Sequence, residues 1–359
     1  MDTVVVGAGI IGCAIARELA VRGLTPVILD QRSPGSGATQ ASAGMLAPYV
    51  EGHHSGPLLE LGARSLALYD DWIAAIGRES GIDLEYRRIG TLEVALDRDD
   101  AARLRQNAQH ATVTRTWMSS DAAQRAHPAL GSIAGALYTP SHGYVDVRSL
   151  TDALVRASRH YGATVRRVAV RQISRTTEGV QVATGDDVVT AKTVVLAAGA
   201  WTNQIESAPS FPPLRPVRGQ LLRLGWQGHP IETIVWGPDC YVVPHTDGTV
   251  LVGATVEDVG FDERTTSAGV RDLLDAACEL LPESWSATFL EARVGLRPAT
   301  PDDLPIVGAD SAIDGLVHAS GHFRNGVLLA PLTALLIADW VEKGKHDPAL
   351  DILRPGRFS

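Results

Sequence analysis

Cysteine is scarce: Cys13, Cys240 and Cys278 are the only three in 359 residues. They form neither an even set nor a CxxC pair, which argues against a disulfide framework and against a zinc site of the usual spacing. Three ordinary thiols fit a reducing compartment, and the expected location is cytoplasmic. Positive charge is also short. Lys and Arg number 32 against 41 Asp and Glu, a net charge of −9, so no nucleic-acid partner is expected. No apolar run reaches the roughly 20 residues that cross a bilayer; the longest, Thr3–Ala16 and Val327–Ala338, fall short. The chain opens Met1-Asp2 and enters an apolar run at once, without a basic leader, so neither a secretory signal nor a membrane anchor is expected. Internal repeats and low-complexity tracts are missing too. What is present is globular, 45% hydrophobic and 20% charged, and too long for one ordinary core, so two lobes are expected.

The first thirty residues carry the densest signal. Thr3-Val4-Val5-Val6 is a β-branched run suited to a strand buried on both faces. Gly7-Ala8-Gly9-Ile10-Ile11-Gly12 follows, then a small-residue helix ending near Gly23, then a strand Pro26-Val27-Ile28-Leu29 that ends on Asp30. Strand, glycine turn, helix, strand and acid in this order make a dinucleotide-binding βαβ unit. Gly7 permits the tight turn, Gly9 lets a pyrophosphate approach the backbone, and Gly12 lets helix and strand pack closely. The helix start offers unpaired N–H groups to phosphates. Asp30 suits two ribose hydroxyls and repels a 2′-phosphate.

This unit leaves NAD and FAD both open. Beyond Asp30 runs a long tract of small and apolar residues, Ser33 to Pro48, the kind of backbone that lies against an extended cofactor. Later, Lys192–Trp201 reads as a strand ending in a glycine turn. Near the C-terminus come Val294-Gly295-Leu296-Arg297-Pro298-Ala299-Thr300-Pro301-Asp302 and Gly321-His322-Phe323-Arg324-Asn325-Gly326-Val327-Leu328-Leu329-Ala330-Pro331. The second follows a strand, Leu316–Ser320, and opens an amphipathic helix over Val327–Val341. Glycines bracketing that turn again leave N–H groups at a helix start.

These segments together resemble the D-amino-acid oxidase superfamily of flavoproteins, and within it the chain is most similar to the glycine oxidases of thiamine biosynthesis. The resemblance runs over essentially the whole chain. It implies a mixed α/β fold in which a Rossmann-like FAD-binding domain, residues 1–85, 145–215 and 290–359, interleaves with an antiparallel-sheet substrate domain, residues 86–144 and 216–289. The sequence allows that division. Gly90–Leu96 alternates, and Asp239–His245 pairs across a turn at Thr246-Asp247-Gly248 with Gly248–Thr255. Helical periodicity marks Leu58–Glu79 and Val270–Leu281. Those middle strands are expected to roof the flavin.

The resemblance also implies the chemistry. FAD is the expected cofactor, contacted by Gly7, Gly9, Ile10, Ile11, Gly12, Asp30, Gln31, Ala38, Thr39, Ala43, Gly44, Met45, Val168 and Gly199. On the flavin side the expected contacts are His322, Phe323, Arg324, Asn325, Gly326, Val327 and Leu328. Sarcosine-oxidase relatives attach FAD through a cysteine near the segment that here reads Ala292–Asp303. With no cysteine beyond Cys278, attachment is expected to be noncovalent. Arg297 matches the arginine that binds the substrate carboxylate, and its planar fork suits that group. Tyr241 matches a tyrosine that helps hold the same carboxylate. Arg324 is placed to contact substrate or flavin, and Met45 and Val256 to wall the pocket. The expected reaction is hydride transfer from the substrate Cα to flavin N5, giving an imine, with O2 reduced to hydrogen peroxide. The substrate is glycine, with sarcosine or a small D-amino acid as further choices. A dehydrogenase that passes electrons to another carrier stays open at this stage. The resemblance further suggests a homotetramer. No metal is expected: His318 and His322 are separated by a strand end and a turn, and Glu51-Gly52-His53-His54 reads as a solvated loop.

Overall fold

The opening βαβ unit forms from the residues that announced it. Strand β1 (Thr3–Val6) is buried throughout, helix α1 (Ile10–Val21) follows, and strand β2 (Val27–Asp30) runs parallel to β1. In the computed structural model, residues 1–51, 56–109, 113–185, 187–207 and 211–358 are described. The loop expected at Gly52, His53 and His54 lies outside them.

Strand β3 (Thr193–Leu196) pairs with β1 on its other side. The long strand β4 (Arg215–Gly225) and the hairpin β5 (Tyr241–Pro244) and β6 (Thr249–Gly253) come next. Strand β7 (Thr288–Ala299), strand β8 (Leu316–Ser320) and helix α2 (Gly326–Lys343) complete the site-bearing elements. A six-stranded sheet has the order Ile306–Ala309, β8, β3, β1, β2, Thr164–Arg167; its outermost pair, Ile306–Ala309 with β8, is antiparallel and the rest are parallel. An eight-stranded sheet has the order β7, β4, β6, β5, Ile234–Trp236, Thr91–Ala95, Gly135–Thr139, Thr116–Ser119. Its neighbours are antiparallel except Ile234–Trp236 beside Thr91–Ala95, which run parallel.

Alternation along the hairpin sets the two faces of this second sheet. Val242, Val250 and Val252 pack with Leu273, Ala277 and Leu280 of the helix Ser267–Leu280. Val243 and Leu251 point the other way, onto Met45 and Tyr144, as period-two geometry requires. The turn of the hairpin is tied to the rest of the molecule by Glu85, which accepts hydrogen bonds from Tyr144 Oη (2.6 Å) and Thr246 N (2.8 Å).

Three expectations need correcting. The periodic stretch Leu58–Glu79 is two helices, Pro57–Leu66 and Tyr69–Ser80. The chain tightens between them, where Leu68 N–H bonds Ser65 O at 3.0 Å, an i to i−3 step. Strand Thr91–Ala95 is buried at every position and not on one face only, with Glu93 in an ion pair to Arg115. Helix α2 is not amphipathic in its first two turns: every residue from Val327 to Ala334 is buried. Pro331 sits inside it and has no N–H for Val327 O, so Tyr69 Oη donates to that carbonyl instead, and Ser65 Oγ donates to Leu328 O at 2.7 Å. Among the described residues no helix is long and apolar enough to cross a membrane.

Candidate active site

One cavity of about 390 Å³ lies between the two sheets. At its first end is the β1–α1 turn. Gly7 has φ +109°, and a Cβ there would lie 2.3 Å from Ala197 O; a Cβ on Gly12 would lie 2.0 Å from Gly7 O. The turn therefore closes only with glycine at both places. A Cβ on Gly9 would meet nothing closer than Thr39 Oγ1 at 3.5 Å, so the approach to the helix start is open. The first bond within α1 runs from Cys13 N to Gly9 O, 2.9 Å, and the N–H groups before it have no partner inside the helix. Ile10 N–H donates to Thr39 Oγ1 at 3.0 Å.

Asp30 has a second task beside the expected one. Its Oδ2 accepts from Ala8 N at 2.7 Å and its Oδ1 from Arg32 N at 2.8 Å. A carboxylate has about four acceptor positions, so two of them still suit ribose hydroxyls. Next to it, Arg32 pairs with both oxygens of Glu263 (2.8 and 2.7 Å) and lies 4.5 Å over the Trp201 ring.

The second end of the cavity is the turn before α2. Phe323 has φ 44°, uncommon for a bulky residue, and is held there by its N–H bond to Pro298 O at 3.0 Å. This ties the turn to the strand that carries Arg297. His322 shares a 3.0 Å hydrogen bond with Thr333 Oγ1, and its burial pushes the imidazole down to about 3, so the ring is neutral at ordinary pH. Arg324 is exposed, with its guanidinium 5.5 Å from the Phe323 ring.

The third wall belongs to the eight-stranded sheet. Tyr241 and Gly253 are direct cross-strand partners, as are Val217 and Arg297. Arg297 Nη1 donates to Thr255 O at 2.9 Å. Thr255 is held by Gln220 N (2.9 Å to its hydroxyl) and by Glu257 (2.6 Å), whose carboxylate also accepts from Arg218 at 2.6 Å. Burial works against the charge on Glu257, yet the hydrogen bonds from Arg218, Gln220 and Thr255 keep its carboxyl near 2. Trp236 stacks on Tyr241 with ring centres 5.5 Å apart.

All the residues expected at the site come to this cavity's lining except three. Gly12 is used in the helix–strand contact, Asn325 precedes α2, and Leu328 packs against the helix at Gly62. Met45 and Val256 both line the cavity, Met45 buried and Val256 exposed at 61%. The lining also includes residues that sequence reading passed over: Arg32, Trp236, Asp239 and Gly219. The one available signal was position, since Trp236 and Asp239 lie five and two residues before Tyr241. Among the described residues no group of three or more His, Cys, Asp and Glu is placed to hold a metal ion.

The residues present fit FAD. A glycine cradle that any Cβ would fill opens on one helix start, an acid stands beside it, and a second helix start faces the far end. Fold and site together define a dinucleotide-binding protein of mixed α/β architecture. Comparison makes this specific: a family model for FAD-dependent oxidoreductases matches residues 2–340, and the chain belongs to that family. It is 34% identical to "Glycine oxidase" of Geobacillus kaustophilus over 353 residues, covering 95% of this chain and 93% of that one. The crystal structure of glycine oxidase from the same organism superposes with a TM-score of 0.94 at 32% identity, covering 99% of this chain and 98% of that one. The "Bifunctional protein ThiO/ThiG" of Trichormus variabilis is 34% identical over 366 residues, which cover 99% of this chain and 55% of the relative. The chain thus spans about half the length of the bifunctional relatives it matches.

Proposed function

We propose that the chain is an FAD-dependent amine oxidase whose substrate is glycine, with sarcosine and small D-amino acids as further substrates. The observation that carries this is the convergence of Arg297 and Tyr241 on the cavity that also holds the glycine cradle and the α2 turn. The Arg297 guanidinium takes the substrate carboxylate by its fork, and the Tyr241 hydroxyl adds a neutral hydrogen bond. Met45 and Val256 close the sides, Arg324 stands at the far turn, and the α2 N-terminus favours negative charge beside it. Bound FAD supplies the two-electron oxidation of the amine to an imine and the reduction of O2, so that glycine, O2 and water give glyoxylate, ammonia and hydrogen peroxide. The chain's own work is binding, orientation and exclusion of water, and no acid–base residue is assigned. FAD is held noncovalently: Cys240 is the one thiol lining the cavity among the described residues, and burial together with nearby Asp239 pushes it up to about 12. Residues 1–85, 145–215 and 290–359 form the cofactor domain in this reading, and the rest the substrate domain.

The test is an anaerobic absorbance titration of the flavin-loaded protein with glycine, sarcosine and D-alanine, followed by air. Bleaching by glycine and recovery in air with stoichiometric peroxide is the expected result. Bleaching with slow recovery would make the chain a dehydrogenase that uses another acceptor. A protein that never binds flavin would sink the reading.

A further inference from the structure

We propose that Gly219 and Gly253 are positioning residues: they form a floor on which the Arg297 guanidinium and the Tyr241 phenol lie flat, and this sets where the substrate carboxylate is held. The proposal rests on the reading of Arg297 and Tyr241 as carboxylate anchors.

Strand β4 sends Val217, Gly219 and Leu221 to one face, and their direct partners on the neighbouring strands are Arg297, Gly295 and Gly253. Directly opposed residues share a face, so Gly219 and Gly253 stand diagonally beside each other on the cavity side. A Cβ on Gly219 would lie 2.3 Å from Arg297 Nη2, 2.4 Å from Cζ and 2.5 Å from Nη1. A Cβ on Gly253 would lie 2.5 Å from Tyr241 Oη, 2.6 Å from Cζ and 2.8 Å from Cε2. In both cases the excluded atoms are the functional tip of the side chain, not its stem.

Neither glycine has a positive φ, so neither is there to allow a left-handed backbone. Glycine inside a strand weakens the strand and marks close approach of another group. Here that group is an anchor. With alanine at 219 the guanidinium has to lift off the sheet, away from Thr255 O and into the space above. Because the displaced atoms end a flexible side chain, the sheet itself can persist.

The experiment compares wild type, Gly219→Ala, Gly225→Ala and Arg297→Ala as flavin-loaded proteins. Acetate serves as the carboxylate probe, read by its perturbation of the flavin spectrum, together with KM and kcat for glycine. Gly225 lies on the same strand, but its Cβ would be 3.5 Å from the nearest atom, ordinary contact, so Gly225→Ala should behave as wild type. Gly219→Ala should keep its flavin while acetate Kd and glycine KM rise about tenfold or more, the loss expected when a charged hydrogen-bonded pair is misaligned. Unchanged acetate binding in Gly219→Ala, with weakened binding in Arg297→Ala, would overturn the proposal and leave the anchor reading intact. Unchanged binding in Arg297→Ala would overturn the anchor reading itself. Loss of flavin from Gly219→Ala but not from Gly225→Ala would also overturn the proposal, since the glycine would then be structural.

Discussion

Glycine does different work in the two sheets. In the βαβ turn, Gly7 and Gly12 exclude a Cβ that would collide with backbone, Ala197 O at 2.3 Å and Gly7 O at 2.0 Å. In the roof, Gly219 and Gly253 exclude a Cβ that would collide with the tips of Arg297 and Tyr241. Backbone cannot yield without moving a strand, whereas a side-chain tip can turn aside. The β1–α1 end of the cavity is therefore shaped by main chain, and the wall from the eight-stranded sheet by side chains resting on main chain.

The sharpest way to break this comparison is Gly7→Ala. The new side chain meets a carbonyl and also a φ of +109°, and the cost should be about 3 kcal/mol. That is a large part of a domain's stability. The variant should be recovered poorly and without flavin, measured by denaturant unfolding and absorbance. Equal behaviour of Gly7→Ala and Gly219→Ala would erase the distinction.

Asp30→Ala probes the same region more gently. It removes the acceptor of Ala8 N and Arg32 N and should cost about 2 kcal/mol. Flavin retention on dialysis should also fall. Asp30→Asn, which keeps one acceptor oxygen, should recover part of the stability. Flavin retained by the alanine variant as in wild type would remove the ribose contact from the reading.

This division explains what could be read in the sequence. Backbone constraints leave fixed spacings, so Gly7, Gly9, Gly12 and Asp30 announced β1, α1 and β2 with their order intact. Likewise Gly321 to Gly326 announced the turn before α2. In the eight-stranded sheet the turn announced the hairpin of β5 and β6, but the contacts that hold the anchors leave no such trace. Gly219 is one glycine in a strand, Thr255 contributes a carbonyl that every residue has, and Arg218 and Glu257 meet across 39 positions. Arg297 and Tyr241 were legible by family resemblance and not by local pattern. Helix α2 misled for a related reason: its first two turns are covered on all sides and have no polar face to show where their partners lie, and Ser65 and Tyr69 reach them from far along the chain.

Acid sensitivity separates the regions on a smaller scale. His322 belongs to the turn before α2 and His142 to the turn between the strands Gly135–Thr139 and Gly143–Val145. Each is pushed down to about 3 from an ordinary 6.5, His322 by burial and His142 by burial together with nearby Arg115 and Arg88. Below pH 6.5 the unfolded chain therefore takes up protons that the native chain does not. Stability falls with pH by up to about 1.4 kcal/mol per unit for each histidine. His142 stacks on Tyr49 at 5.5 Å, and its two ring nitrogens have no hydrogen-bond partner among the described residues. His142→Phe should thus reduce the slope between pH 6.5 and 5 and leave flavin binding alone. An unchanged slope would show that His142 is not kept neutral in the native state.

The smallest effect expected is that of Tyr241→Phe, and it tests the side-chain half of the comparison most closely. Losing one neutral hydrogen bond costs about 1 kcal/mol, so glycine KM should rise about fivefold with flavin content unchanged. If Gly253 acts only through the Tyr241 hydroxyl, adding Gly253→Ala to Tyr241→Phe should raise KM little further, although Gly253→Ala alone raises it. The two changes are then coupled in a double-mutant cycle. Additive effects on KM would mean that Gly253 shapes the pocket by a route other than Tyr241, and the roof would no longer differ from the cradle in kind.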